Sequence, residues 1–258
     1  MTATGRGAVI TGGGRGIGAA TARALAATGV RVLVTSRHDA EVEGIAADIR
    51  RSGAQAWATR CDVTDPESTA ALARVAHERL GRVDILVNNA GTASSAPLHR
   101  TTLEEWQRLL AVNATGTFLC TQTLLPGMLE RGWGRVVNVA SVAGLEGAKY
   151  IAAYCAAKHA VVGFTRAMAI ETAGSGVTVN AVCPGYVDTP MTDTTVGQVA
   201  QRMRKSREEA LEAILAHSGQ PRLVTALEVA ATIVALCDEA AGALTGQTIV
   251  LDAGALRT

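Results

Sequence analysis

The chain has 258 residues, 48% of them hydrophobic, 18% charged and only 3% aromatic; this excludes disorder and suits one large domain with a close-packed core. A formal net charge of +1 gives no field to steer nucleic acid, and no apolar run reaches the ~18 residues of a membrane span. Five scattered cysteines without a Cys-x-x-Cys pair and five histidines without shared spacing point to a reduced, cytoplasmic protein with no metal site.

Residues 8–11 read as a short apolar strand and 17–28 as an Ala-rich helix. Between them runs Thr11-Gly12-Gly13-Gly14-Arg15-Gly16-Ile17-Gly18. Glycines allow positive φ and close backbone approach, and the helix start that follows offers N–H groups and a positive dipole end to a pyrophosphate. Gly18 is placed to let the helix pack tightly on the strand. The spacing differs from Gly-x-Gly-x-x-Gly, so the phosphate path is expected to differ in detail.

The second strand is expected at 30–35. A dinucleotide site for NAD normally carries an acid at its end, against the adenosine ribose. Here the chain reads Thr35-Ser36-Arg37. A carboxylate would repel a 2′-phosphate, whereas Arg37 together with Arg15 can clamp one through charge-assisted bonds, so NADP(H) is favoured over NAD(H). The plain alternative is an Arg37 that only faces solvent.

Helix and strand then alternate: helices at 40–51, 66–80, 103–112, 116–130, 154–172 and 228–238, strands at 54–60, 85–87, 135–140, 177–182 and 248–251. Regular alternation implies a parallel sheet of about seven strands with right-handed crossovers and helices on both faces, a single doubly wound Rossmann-type α/β domain over residues 1–258. Strands such as Val136-Val137-Asn138-Val139-Ala140 show the continuous apolar character of burial on both faces. Residues 190–219 are expected to form a helical lid. Arg202, Arg204, Lys205 and Arg207 stand there beside Glu208, Glu209 and Glu212; a solvated helix face explains them, and the sharper alternative is contact with the phosphates of an acyl thioester.

Tyr154 and Lys158 stand four positions apart on a helical stretch, which puts a phenol and an ammonium on one face. A neighbouring cation favours phenolate, so the pair is expected to exchange protons with an alcohol or carbonyl near neutral pH. Ser141 follows a strand's carboxyl end, where parallel sheets bind ligands, and its hydroxyl can stabilise developing alkoxide charge. A turn or N-cap serine is the plainer reading. Asn113 lies in a helical stretch that asparagine disfavours, which invites a functional reason.

With the glycine loop, Asn88-Asn89-Ala90-Gly91, Ser141, Tyr154-x-x-x-Lys158 and Pro184-Gly185 with Thr189, the chain resembles the short-chain dehydrogenase/reductase family over essentially its whole length. The resemblance implies that Tyr154 is the acid/base, that Lys158 lowers its pKa and holds the nicotinamide ribose, that Ser141 binds the carbonyl oxygen and that Asn113 anchors a proton-relay water. It implies that Thr11, Gly12, Arg15, Gly16, Ile17, Gly18, Ser36 and Arg37 hold the cofactor's phosphates and ribose. Asp62 and Val63, with Asn89, Ala90 and Gly91, border the adenosine side, and Pro184, Gly185, Val187 and Thr189 border the nicotinamide.

The stretch 163–168 and Val182-Cys183-Pro184-Gly185 also look like the family's 3-oxoacyl thioester and polyketide reductases. The loop Thr92-Ala93-Ser94-Ser95-Ala96-Pro97 lacks the Pro-Gly-Gly run of aromatic-polyketide ketoreductases. The expected reaction is interconversion of a ketone, a 3-oxoacyl thioester on carrier protein or coenzyme A foremost, with a secondary alcohol. Dehydrogenation of a hydroxyacyl-CoA or alicyclic alcohol is the rival reading, and a non-catalytic nicotinamide-binding redox sensor is the rival of another class. Family resemblance also implies a homotetramer or homodimer through the helices at 116–130 and 154–172. Ala253 stands where the family's closing motif usually has a glycine.

Overall fold

The computed structural model describes residues 5–255. Its main sheet has seven parallel strands in the order β3-β2-β1-β4-β5-β6-β9. These are β1 (Gly7–Thr11), β2 (Arg31–Ser36), β3 (Ala56–Arg60), β4 (Ile85–Asn88), β5 (Gly134–Val139), β6 (Val177–Pro184) and β9 (Thr248–Leu251). The intervening helices are α1 (Gly16–Ala27), α2 (Asp39–Arg51), α3 (Pro66–Leu80), α4 (Leu103–Leu110), α5 (Gly116–Glu130), α6 (Ala152–Glu171) and α9 (Ala226–Cys237). The doubly wound α/β architecture is therefore as the alternation predicts.

Side chains that alternate along each strand feed two cores. Ala8, Ile10, Val32 and Val34 pack with α1, α2 and α9. Val9, Leu33, Leu86, Val136 and Val179 pack with α3 and α5 on the other face. Because both sides are buried, the strands need no polar face, which explains their continuous apolar sequence. Beneath the sheet's carboxyl edge, Asn88 Nδ2 donates to Thr121 Oγ1 (2.9 Å) and Asn138 Oδ1 (2.8 Å), and Asn138 Nδ2 donates to Thr165 Oγ1 (2.9 Å). These buried bonds fasten α5 and α6 to β4 and β5, and in a low dielectric they fix position firmly.

Two features lay outside the periodicity. Between α4 and α5 the helix is not broken: residues Ala111–Thr115 form a π-helical turn that joins them. A second ladder pairs β7 (Val187–Asp188) with β8 (Val224–Thr225). It brackets the stretch expected to be helical at 190–219, which forms α7 (Pro190–Met203) and α8 (Arg207–Ser218). Strands this short carry no two-residue period, so pattern alone could not find them. Among the described residues no helix is long and apolar enough to cross a membrane.

Candidate active site

The chain runs from β1 outward to β3 and then returns to place β4 on the other side of β1. Strand order reverses there, and such a switch point opens a crevice outside the strands' carboxyl ends. A crevice of about 280 Å³ lies at this place, lined by the glycine turn, the end of β2, the loop after β4, the end of β5, the start of α6 and the segment after β6.

At one end, Gly12 turns the chain at φ 63°, and a Cβ there would stand 2.9 Å from the Ala90 Cα. Only glycine fits that turn. The following helix, α1, has Arg15 at its N-cap with no side-chain cap, so its first amides and positive dipole end are left for an anion. Gly12, Gly14, Arg15, Gly16 and Ile17 all line the crevice. Ser36 and Arg37 join them from the end of β2, and Asp62 and Val63 from the end of β3. The Ser36 hydroxyl is spent within its own turn, donating to the His38 carbonyl (3.2 Å) and accepting from the His38 N–H (3.1 Å). Burial works against the Asp62 carboxylate, but the Thr64 N–H and hydroxyl and the charges of Arg37 and Arg60 outweigh it and hold its pKa below the ordinary value.

Two predicted cofactor residues act from behind the wall instead. Thr11 is buried, and its Oγ1 accepts from the backbone N–H groups of Asn89 and Ala90, both at 3.0 Å. A Cβ on Gly18 would stand 2.4 Å from both Asn89 Nδ2 and the Gly12 carbonyl oxygen. Asn89 reaches the crevice, yet its Nδ2 donates to the Thr11 and Gly12 carbonyls (2.9 and 3.0 Å), lacing the glycine turn to the loop after β4.

At the other end Asn113, Ser141, Tyr154 and Lys158 come together with Gly91, Pro184, Gly185, Val187 and Thr189. Asn113 is buried on the π-helical turn. Its Nδ2 donates to the carbonyls of Thr92 and Leu109 (both 2.9 Å), and its Oδ1 accepts from the Thr92 N–H (3.2 Å). The side chain that looked unfavourable in a helix is thus a two-way clamp on the loop entering at Thr92. Ser141 caps the short 3-10 turn Val142–Gly144 by accepting from the Ala143 N–H (3.2 Å), donates to the Pro184 carbonyl (3.4 Å), and stands near enough to Tyr154 to draw its pKa down. The N-cap reading of Ser141 holds, and the residue also lines the crevice.

Tyr154 and Lys158 share the first turns of α6, as their spacing requires. Their electrostatics differ from the sequence expectation. Burial pushes the Tyr154 phenol up to about 12, with the Ser141 hydrogen bond pulling the other way. Burial also pushes Lys158 down to about 8. The Lys158 ammonium stands 5.7 Å from the Tyr154 ring centroid and donates to the Val139 carbonyl at 2.8 Å. Desolvation, invisible in a spacing, dominates both groups in the cofactor-free chain.

Sequence analysis missed Glu41, Thr92, Val139, Met191 and Thr192, which line the crevice, and Gln220, which shapes it. Gln220 is buried, accepts from the Tyr186 N–H (2.8 Å) and donates to the carbonyls of Tyr186 (2.8 Å) and Arg222 (2.7 Å). It thereby fixes the segment after Gly185 against β8. A lone glutamine in a polar stretch carries no signal of this. The basic residues of 190–219 are mostly engaged: Arg207 pairs with Asp193, Lys205 with Glu209, and Arg202 donates to the Ser95 carbonyl (3.2 Å).

The chain is similar to a 3-oxoacyl-[acyl-carrier-protein] reductase of Synechocystis sp., with 42% identity over 98% of each chain. It is also similar to a D-beta-hydroxybutyrate dehydrogenase of Cupriavidus necator, with 38% identity over 97% of each. Among solved structures, a variant of the actinorhodin polyketide ketoreductase crystallised with NADPH superposes with a TM-score of 0.93 at 39% identity, covering 97% of both chains. The model of the short chain dehydrogenase family matches residues 6–200, and with this sheet order and crevice the chain belongs to that family.

Proposed function

We propose that the chain is an NADP(H)-dependent oxidoreductase that reduces a ketone to a secondary alcohol, a 3-oxoacyl thioester foremost, and runs the reverse oxidation on the same groups. The observation that carries it is the meeting of Ser141, Tyr154 and Lys158 in one crevice with an amide-rich glycine turn and two arginines. The residues fit such a cofactor: the turn leaves backbone room that a Cβ would fill, α1 offers uncapped amides for the pyrophosphate, and Arg15 and Arg37 offer charge for a 2′-phosphate. The reductase relative and the ketoreductase with NADPH support the same reading.

When bound, the nicotinamide supplies or takes the hydride. Tyr154, neutral at pH 7 with a pKa near 12, holds the proton that the carbonyl oxygen receives. Ser141 donates to that oxygen and steadies the charge that develops on it. Lys158 holds the nicotinamide ribose, and its ammonium favours the phenolate left after proton transfer. Asn113, by clamping Thr92, keeps the loop that lines the crevice beside Tyr154 and Lys158 in place. Asp62 serves the adenine.

Replacing Tyr154 with Phe tests the assignment. NADPH affinity stays within about twofold while turnover falls by ~10²–10⁴. Near-normal turnover would remove Tyr154 from the reaction and would leave the non-catalytic sensor as the better reading. The hydroxybutyrate dehydrogenase relative favours a second reading, oxidation of a hydroxyacyl substrate. Rates on 3-oxoacyl thioesters, cyclic ketones and the matching alcohols, each with both nicotinamides, separate the two. Arg37→Asp shifts preference toward NADH.

The chain assembles as a homodimer or homotetramer through α5 and α6. Phe118 on α5 is 43% exposed and meets Phe164 on α6 edge-to-face at 6.3 Å, and Ile170 at the end of α6 is 78% exposed. An apolar pair and an exposed isoleucine on adjacent helices suit burial by a second copy. Light scattering of the purified chain measures the state directly.

A further inference from the structure

We propose that Glu41 is a selector of the cofactor: its carboxylate opposes a 2′-phosphate and narrows the protein's preference for NADP(H) over NAD(H). This rests on the NADP(H) reading above and deepens it. By charge alone, the two guanidinium groups of Arg15 and Arg37 predict a strong preference for the phosphorylated cofactor.

The structure adds Glu41 to those two cations and to Asp62. Glu41, in the first turn of α2, lines the same crevice as Arg15 and Arg37, and Asp62 lines it from β3. Glu41 is held against the glycine turn, where a Cβ on Gly14 would stand 2.8 Å from the Glu41 Cβ and 3.0 Å from its Oε2. Its Oε1 faces Arg15 Nη1 at 3.8 Å. Arg37 in turn is close enough to Asp62 to favour that carboxylate's charge. Each arginine offered to the phosphate thus has an acid of the protein's own beside it.

The Arg15–Glu41 contact is long, and the two side chains are 65% and 37% exposed. A pair so exposed is weak, so a dianionic phosphate can draw Arg15 away. What remains is Glu41 itself, a fixed negative charge close to the phosphate subsite that no rotation of Arg15 removes. The acid a NAD site normally carries at the end of β2 is absent here, since Ser36 stands in that place with its hydroxyl turned to His38. Glu41 supplies a carboxylate to the same end of the crevice from the next helix. A carboxylate there penalises the 2′-phosphate and leaves an unphosphorylated ribose untouched.

The test is equilibrium binding by calorimetry with two fragments, 2′,5′-ADP and 5′-AMP, which share the adenosine and differ in the 2′-phosphate. In Glu41→Gln, 2′,5′-ADP binds about threefold to tenfold tighter at low ionic strength while 5′-AMP binds as in the wild type. The gain collapses at about 0.5 M salt, where the Debye length is roughly 4 Å. Glu41→Asp, which keeps the charge, behaves as the wild type. An unchanged ratio of the two affinities in Glu41→Gln overturns the proposal, as does an equal gain for 5′-AMP or a gain that survives high salt. Arg37→Ala serves as the separate check on the phosphate subsite: its loss of 2′,5′-ADP affinity shows that the subsite is real, so that a null result in Glu41→Gln counts against Glu41 alone.

Discussion

Lys158 donates its ammonium to the Val139 carbonyl at 2.8 Å, binding the first turns of α6 to the carboxyl end of β5. The contact holds a nearly dry cation, 5% exposed, beneath the crevice. That position costs stability, because a single carbonyl replaces the water an ammonium would otherwise have.

The cost is readable in pH. Lys158 titrates near 8 in the fold against 10.5 ordinarily. Between those values the unfolded chain keeps a proton that the fold has released, so stability rises with pH across that window, and below pH 8 the fold bears the full penalty of about 3 kcal/mol. Urea midpoints of the cofactor-free protein therefore rise from about pH 8 toward pH 10 relative to those of Lys158→Met. A constant difference between the two proteins would show that Lys158 is not desolvated as described. Tyr154 acts oppositely but only above pH 10, since its pKa is raised from 10.0 to about 12.

Asn113→Ala removes three hydrogen bonds, a buried one to Leu109 and two half-buried ones with Thr92. The Thr92 backbone groups lose their clamp, and the expected loss is about 2–3 kcal/mol by chemical denaturation. Turnover falls further than NADPH affinity, because the loop entering at Thr92 borders the reacting end of the crevice. Equal losses in both would place the effect in folding alone.

Gly18→Ala puts a methyl group against Asn89 Nδ2 and the Gly12 carbonyl, the two partners that lace the turn. Stability drops by about 1–3 kcal/mol and NADPH affinity drops with it, although Gly18 itself does not line the crevice. Isothermal titration alongside urea unfolding shows whether the two losses travel together.

Ala253 sits at φ 56°, a conformation that costs an alanine about 1 kcal/mol or more and a glycine almost nothing. Ala253→Gly stabilises the protein by about 0.5–1 kcal/mol after the extra freedom of glycine in the unfolded chain is subtracted. A lower thermal midpoint in the variant would mean that the strain is relieved elsewhere.

Much of the molecule was legible along the chain. Strand and helix order followed from apolar period and length, the β1–α1 turn from glycines that positive φ at Gly12 and close backbone approach at Gly18 require, and the Tyr154–Lys158 face from helical spacing. The π-helical turn was not, because the 103–112 and 116–130 patterns each look complete; the extra residue makes sense only once Asn113 is seen reaching Thr92. Glu41 lay unremarked within the helix expected at 40–51, and Gln220 just past the stretch 190–219; a single polar side chain at either place carries no local signal.

Backbone preference, periodicity and motif spacing are local, so the amino-acid order alone determined the parallel doubly wound sheet, the turn at Gly12 and the phenol–amine pair. Which groups meet across the chain was decided by packing: Arg15 with Glu41, Gln220 with Tyr186, Lys158 with Val139. Packing also set the sign of the Tyr154 shift, since the spacing puts a cation one helical turn away but only the folded interior removes the water that the phenolate would need.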